Sequence, residues 1–127
     1  EAGPDYPPRP TAKRCYEVGQ SIRRFLDTRD ERVAVVASSS WSHSFLAHKN
    51  NCSAIDLETD RRYLELVRQG QGSQLATLTP EELQDSGDHE ILNWIIALGI
   101  LGDVPAEIVD VRESHTQLAF RVAALWG

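Results

Sequence analysis

The chain has 127 residues, a formal net charge of −6 and hydrophobic residues at 41% of its positions, which is the composition of an ordinary globular protein. Its basic residues are scattered among acidic ones, so we do not expect nucleic acid as a partner. The longest apolar run, Trp94 to Leu98, is too short to cross a membrane, and no signal peptide is recognisable. Two cysteines without the spacing of a metal site or a disulfide framework favour a cytoplasmic location.

The first segment is rich in proline and predicts an extended lead-in over residues 1–10. Thr11 can cap a helix from about Ala12 to Asp27. The apolar residues expected to face the core from this helix are Cys15, Val18, Ile22, Phe25 and Leu26. Because the chain lacks methionine and opens like a connecting segment, we expect a piece of a longer polypeptide, although processing or trimming would leave the same sign.

An apolar, β-branched run from Val33 to Ala37 predicts a strand buried on both faces of a parallel or mixed sheet. Small hydroxyl residues at Ser38 to Ser40 then predict a turn, followed at once by Trp41 and His43. Ligands of open α/β sheets bind beyond the carboxyl ends of strands, so His43 is a candidate acid/base group. The alternative is a loop histidine that bonds a backbone carbonyl.

The middle of the chain is helical in pattern. Ser44 to His48 predicts a short helical turn, with His48 solvated. Asp56 to Arg68 predicts an amphipathic helix, whose solvent-facing side is expected to carry Asp60, Arg61, Arg62 and Glu65. Thr79, Pro80 and Glu82 form the signature of a capping box that starts a short helix.

A buried helix is predicted from about Asp88 to Leu98, and Glu90 lies in its first turn. The simple explanation of Glu90 is that a carboxylate is stabilised by the positive end of the helix dipole. The functional alternative is a metal-binding carboxylate. His89 points roughly 100° away around the helix and is expected to pack or bond locally.

Two strands are predicted near the end, over Ala106 to Val111 and Gln117 to Leu125, with Arg112 to His115 connecting them. Helices and strands together predict an α/β fold with a mixed sheet flanked by helices. Trp126 and the apolar end of the chain suit a buried contact or an interface, which favours an oligomer.

Two motifs together carry a family resemblance. Arg32 to Phe45 reads R-V-A-V-V-A-S-S-S-W-S-H-S-F, and a later segment reads S-G-D-H-E-I-L-N-W-I-I-A-L-G. In this order they resemble the C-terminal half of the class III extradiol ring-cleavage dioxygenases, the family of the protocatechuate 4,5-dioxygenase β subunit. The resemblance implies either a single domain over residues 1–127 or the C-terminal part of a larger catalytic domain.

The resemblance implies an enzyme that opens a catechol-type ring with O₂ at a non-haem Fe(II) held by two histidines and one glutamate. The family's glutamate ligand falls on Glu90, and its acid/base histidine falls on His43. The remaining implied roles are to shape the substrate pocket or to support Glu90, and they fall on Ser39, Ser40, Trp41, Asn93 and Trp94.

The family's two histidine ligands belong to its N-terminal half, and no histidine precedes His43 here. We therefore expect an N-terminal half or a partner subunit to supply them. A second hypothesis is a non-catalytic fragment or subunit that keeps the fold as an interaction module. A weaker third is a serine hydrolase built on Ser40 or Ser42 with His43, although adjacent serine and histidine side chains diverge.

Overall fold

The computed structural model describes residues 9–114 and 116–127. The helices are α1 (Ala12–Leu26), α2 (Leu57–Arg68), α3 (Pro80–Ser86) and α4 (Ile91–Leu101), and the strands are β1 (Glu107–Ser114) and β2 (Ala119–Leu125). The mixed α/β class predicted from the sequence is confirmed. Most of the lead-in, over residues 1–8, and His115 lie outside the described residues.

The predicted helices are confirmed, and so are the residues that begin two of them. The Thr11 side chain accepts a hydrogen bond from the Arg14 N–H at 3.1 Å. Thr79 and Glu82 form a complete capping box at the start of α3. The last helix begins at Ile91 and not at Asp88, because residues 88–90 form a turn that places Glu90 at the N-cap of α4.

The predicted core face of α1 is confirmed at Cys15 and wrong at Val18, Ile22 and Phe25. The buried residues are Ala12, Cys15 and Gly19, whereas Val18, Ile22 and Phe25 are exposed. The reason is the close packing of α1 against α4. A Cβ added to Gly19 would lie 2.1 Å from the Ile96 carbonyl oxygen and 2.8 Å from the Gly99 Cα, so only small side chains fit the contact.

The predicted strand from Val33 to Ala37 is also wrong for the chain as described. The segment is not assigned to a strand, and Val33 and Val36 are 51% and 87% exposed. It borders α4 across a groove of about 240 Å³, shared with Asn93 and Ile96. A strand needs hydrogen bonds from a neighbouring strand, and in the described residues β1 and β2 form a two-stranded sheet with each other.

The sheet is antiparallel, so the prediction of a parallel or mixed sheet is corrected for the described part of the chain. Its register pairs Val111 with Val122 and Ser114 with Ala119. Both terminal strands were predicted, and β1 extends to Ser114. The core draws buried side chains from all four helices and from β2, and within it Trp41 stacks on Phe120 at 5.7 Å and meets Trp94 edge-on at 5.2 Å. None of the described helices is long and apolar enough to span a membrane.

Candidate functional site

The segment that carries His43 is fixed to one end of β2 by backbone hydrogen bonds. Trp41 N–H donates to the Phe120 carbonyl at 2.9 Å, and Phe120 N–H donates to the Ser42 carbonyl at 3.2 Å. Ser44 N–H donates to the Leu118 carbonyl at 3.0 Å. His43 itself forms an isolated antiparallel bridge with Ala119. The residues on both sides of the histidine are therefore held by the sheet.

One nitrogen of the His43 ring has no hydrogen-bond partner among the described residues. Nδ1 is buried and forms no hydrogen bond with the described residues, while the ring meets Phe45 edge-on at 5.3 Å between centroids. The structure therefore does not show the alternative in which this nitrogen bonds a backbone carbonyl. A half-buried imidazole with an unoccupied nitrogen is suited to accept or deliver a proton.

Glu90 lies beside the same segment. Its Oε2 accepts a hydrogen bond from the Ser40 N–H at 3.3 Å, and its side chain is exposed. Gly87 brings the two parts of the chain together, because a Cβ there would lie 2.8 Å from the His43 carbonyl oxygen. Its positive φ of 73° also favours glycine. The two motifs singled out in the sequence thus meet in the fold.

The remaining predicted site residues have different surroundings. Trp41 is fully buried and Trp94 nearly so, and both lie in the aromatic core beneath the segment. Ser39 has a buried hydroxyl without a partner among the described residues. Asn93 is exposed on α4, and its backbone N–H donates to the Glu90 carbonyl. Their roles in binding substrate or supporting Glu90 stay predictions.

A buried acidic cluster beneath His43 was missed by the sequence analysis. Asp56, Asp60 and Asp88 are buried, although Asp60 was expected on the solvent-facing side of its helix. Neither carboxyl oxygen of Asp88 has a hydrogen-bond partner among the described residues, and the nearby charge of Asp60 disfavours its ionisation. The signal available in the sequence was weak: Asp60 lies one helical turn after the Asp56 cap, where solvated acids are also common.

Burial makes the Asp60 and Asp88 carboxyls weaker acids than usual. Burial raises the pKa of the Asp60 carboxyl to about 6, opposed by hydrogen bonds from Ser42. Burial, followed by the charge of Asp60, raises the pKa of Asp88 well above its ordinary value. A raised pKa means that the folded state favours the protonated acid. Deprotonation therefore destabilises the fold.

This direction gives a testable pH dependence. The contribution of Asp60 to stability is fully present below the pKa of the unfolded chain, about 4, and is lost as the pH rises through about 6. We expect the stability advantage of the wild type over Asp60→Asn to shrink between about pH 4.5 and about pH 7.5 in urea unfolding. Carboxyl groups that do not interact with Asp60 cancel in this difference, and Asp88, whose pKa the charge of Asp60 raises, changes it in the same direction. An equal difference at both pH values would contradict the assignment.

The serine hydrolase alternative is not supported by this geometry. Ser42 is completely buried, and its hydroxyl donates to Asp60 instead of His43. The Ser40 backbone is turned toward Glu90. His48 is exposed, as predicted, with Nδ1 3.5 Å from the Gln84 amide nitrogen. His89 is half-buried, and burial lowers its pKa.

The described residues do not by themselves fit a complete Fe(II) site. No group of three or more histidine, cysteine, aspartate or glutamate side chains in residues 9–114 and 116–127 is arranged to hold a metal ion. Glu90 offers one exposed carboxylate, whereas a facial triad needs two further imidazole ligands.

Comparison with known proteins agrees with the two motifs. Residues 5–124 match the family described as the catalytic LigB subunit of aromatic ring-opening dioxygenase. The chain is also 33% identical over 99 residues to a gallate dioxygenase of Pseudomonas putida, an alignment that covers 74% of this chain and 28% of the relative. The chain thus spans less than a third of the length of that relative. By the extent of the family match, the chain belongs to the LigB family of aromatic ring-opening dioxygenases.

Proposed function

We propose that this chain is the C-terminal part of a non-haem Fe(II)-dependent extradiol dioxygenase that opens a catechol-type ring with O₂. The observation that carries the proposal is the meeting of His43 and Glu90 across Gly87 and the Ser40–Glu90 hydrogen bond. This juxtaposition supports a site in which His43 is the acid/base group and the exposed carboxylate of Glu90 is a metal ligand. The similarity to a gallate dioxygenase supports an aromatic diol or triol as the substrate class.

In this proposal His43 moves protons and Glu90 is one metal ligand. A catechol must lose hydroxyl protons as it binds and must take up or redistribute protons as its ring opens. The imidazole of His43 can accept such a proton, and the backbone bridge to Ala119 at the start of β2 fixes the position of the residue. The Oε2 of Glu90 accepts the Ser40 N–H, which orients the carboxylate.

Two histidine ligands are proposed to come from outside this chain, from an N-terminal half or a partner subunit. Exposed apolar side chains support such a partner: Val36 is 87% and Phe25 62% exposed, and Val33 belongs to the unpaired β-branched run. Burying these side chains against another polypeptide would be favourable. We also propose an oligomer and a cytoplasmic location, the latter supported by the exposed free thiol of Cys52.

The test is anaerobic Fe(II) binding to the 127-residue chain and to the complete enzyme. We expect weak or no binding by the chain alone, because one carboxylate is a poor site. The complete enzyme should bind iron tightly, consume O₂ with gallate or another catechol, and lose its iron in Glu90→Ala. Asp103→Ala, which removes another exposed α4-adjacent carboxylate bonded to Ser73, is the matched control.

Two results would contradict the proposal. The first is tight iron binding by the isolated chain that survives Glu90→Ala, since other side chains would then form the site. The second is a complete enzyme that retains its iron and its ring-opening activity without Glu90. Either result would move the metal ligand elsewhere in the chain.

The second candidate is a non-catalytic subunit that keeps the fold as an interaction module. The observation that favours it is the absence of a three-ligand metal group among the described residues. Under this alternative no partner completes an iron site, and pull-down of the natural assembly followed by metal analysis finds no iron. Iron bound in the natural assembly, together with O₂ consumption, would contradict this alternative and support the enzyme.

A further inference from the structure

We propose that Asp60 is a positioning residue for His43 and acts on it through Ser42. The inference rests on the proposed acid/base role of His43 and adds the residue that holds the histidine in place. Asp60 does not reach the candidate site itself, because it is completely buried on α2. Its effect reaches His43 through Ser42, which is hydrogen-bonded to Asp60 and directly precedes His43 in the chain.

Ser42 makes two hydrogen bonds with the same carboxylate. Its N–H donates to Asp60 Oδ1 at 3.3 Å, and its hydroxyl donates to Asp60 Oδ2 in a very short contact. The same hydroxyl accepts the Asp56 N–H at 3.1 Å, and the Ser42 carbonyl accepts the Phe120 N–H. Every polar group of Ser42 is thus used, which leaves its position little freedom.

The acceptor is itself held rigidly. Asp60 lies in the first turn of α2, which is capped by Asp56 accepting the Thr59 N–H at 3.3 Å. Asp56 also forms an ion pair with Lys49 at 2.6 Å. The position of Ser42 is therefore set by a helix on one side and by β2 on the other. Fixing Ser42 and Ser44 in this way fixes the backbone of the histidine between them.

A purely stabilising role is a poor explanation of this arrangement. A carboxyl that is 0% exposed carries a large desolvation cost, and apolar residues of similar size would fill the same space without that cost. Apolar side chains cannot accept hydrogen bonds from the N–H and the hydroxyl of Ser42, as the Asp60 carboxylate does. These two bonds fix the position of Ser42, which is useful where the neighbouring His43 side chain must keep a defined direction.

The experiment compares Asp60→Ala, Asp60→Asn and Val67→Ala in the complete enzyme. Val67→Ala is the matched control, because it removes buried methyl groups from the same helix seven residues further on. The readouts are amide hydrogen exchange at Ser42 and Ser44, the NMR signals of the His43 ring, and the separate values of kcat and KM. Thermal stability is recorded for each variant.

We expect Asp60→Ala to speed amide exchange at Ser42 and to lower kcat, each by about tenfold or more, with KM changed by less than about twofold. Asp60→Asn should retain part of the amide protection at Ser42 and part of kcat, since its Oδ1 can still accept the Ser42 N–H. Val67→Ala should lower stability without moving the His43 signals. If Asp60→Ala does not fold, Ser42→Ala gives the same readouts, because it removes the hydroxyl bonds to Asp60 and to the Asp56 N–H and keeps the Ser42 N–H bond to Asp60.

The inference is overturned if exchange and the His43 ring signals are unchanged in Asp60→Ala, or if kcat falls no further than in Val67→Ala. Failure of the proposed function looks different. In that case His43→Gln leaves ring opening intact or no ring opening occurs, while exchange and the ring signals still report whether Asp60 holds His43.

Discussion

Gly19→Ala is expected to destabilise the protein by about 3 kcal/mol, although alanine is the better helix former by about 1 kcal/mol. The added Cβ would lie 2.1 Å from the Ile96 carbonyl oxygen and 2.8 Å from the Gly99 Cα. Both obstacles are backbone atoms inside α4, so no side chain can rotate away. The α1–α4 contact must open instead. Thermal unfolding should show a fall in Tm of roughly 10 °C.

Gln20→Ala is the control for this prediction. Gln20 is exposed on the same helix, so its replacement changes helix propensity without a clash. We expect its stability to stay within about 0.5 kcal/mol of the wild type. A Gly19→Ala variant as stable as the wild type would mean that the two helices do not approach each other at Gly19 and Gly99.

The helices were predictable because their signals are local. Thr11, Thr79 and Glu82 act within one turn of their own positions, and the structure shows each cap as expected. The buried face of α1 was not predictable in the same way. Val18, Ile22 and Phe25 follow the helical period, but the choice of face depends on the backbone of α4 far along the chain.

The strand predicted over Val33 to Ala37 shows the same limit more clearly. Its apolar, β-branched residues have the composition of a buried strand, and the segment runs beside α4 with Val36 outward. Local composition cannot supply the neighbouring strand that a sheet requires. The two strands at the end of the chain lie a short connection apart, and each provides the partner for the other.

Part of the candidate site was predictable from the sequence, and part was not. The short motifs around His43 and Glu90 were recognisable, and the structure brings the two segments together through Ser40 and Gly87. Asp60 was not recognisable, since an acid in the first turns of an amphipathic helix is typical of a solvated face. Its burial follows from the approach of Ser42, which lies eighteen residues earlier in the chain.

His43→Gln in the complete enzyme is expected to lower kcat for ring opening by about 10² to 10⁴, the range typical for removing a general acid/base. Glutamine keeps a polar side chain of similar reach but cannot carry the proton that an imidazole accepts. Steady-state O₂ consumption with a saturating catechol measures kcat directly.

Measuring the iron content, and making the same change at a second histidine, distinguishes a proton-transfer role of His43 from a role as metal ligand. His43→Gln should retain its iron, because Glu90 is the ligand proposed from this chain, whereas Glu90→Ala should lose it. His48→Gln makes the same chemical change at an exposed histidine and should leave kcat within about twofold of the wild type. Loss of iron in His43→Gln would instead make His43 a ligand, and an unchanged kcat would exclude it from the proton transfers. The backbone hydrogen bonds of Ser42 and Ser44 would then serve only to hold the segment against β2.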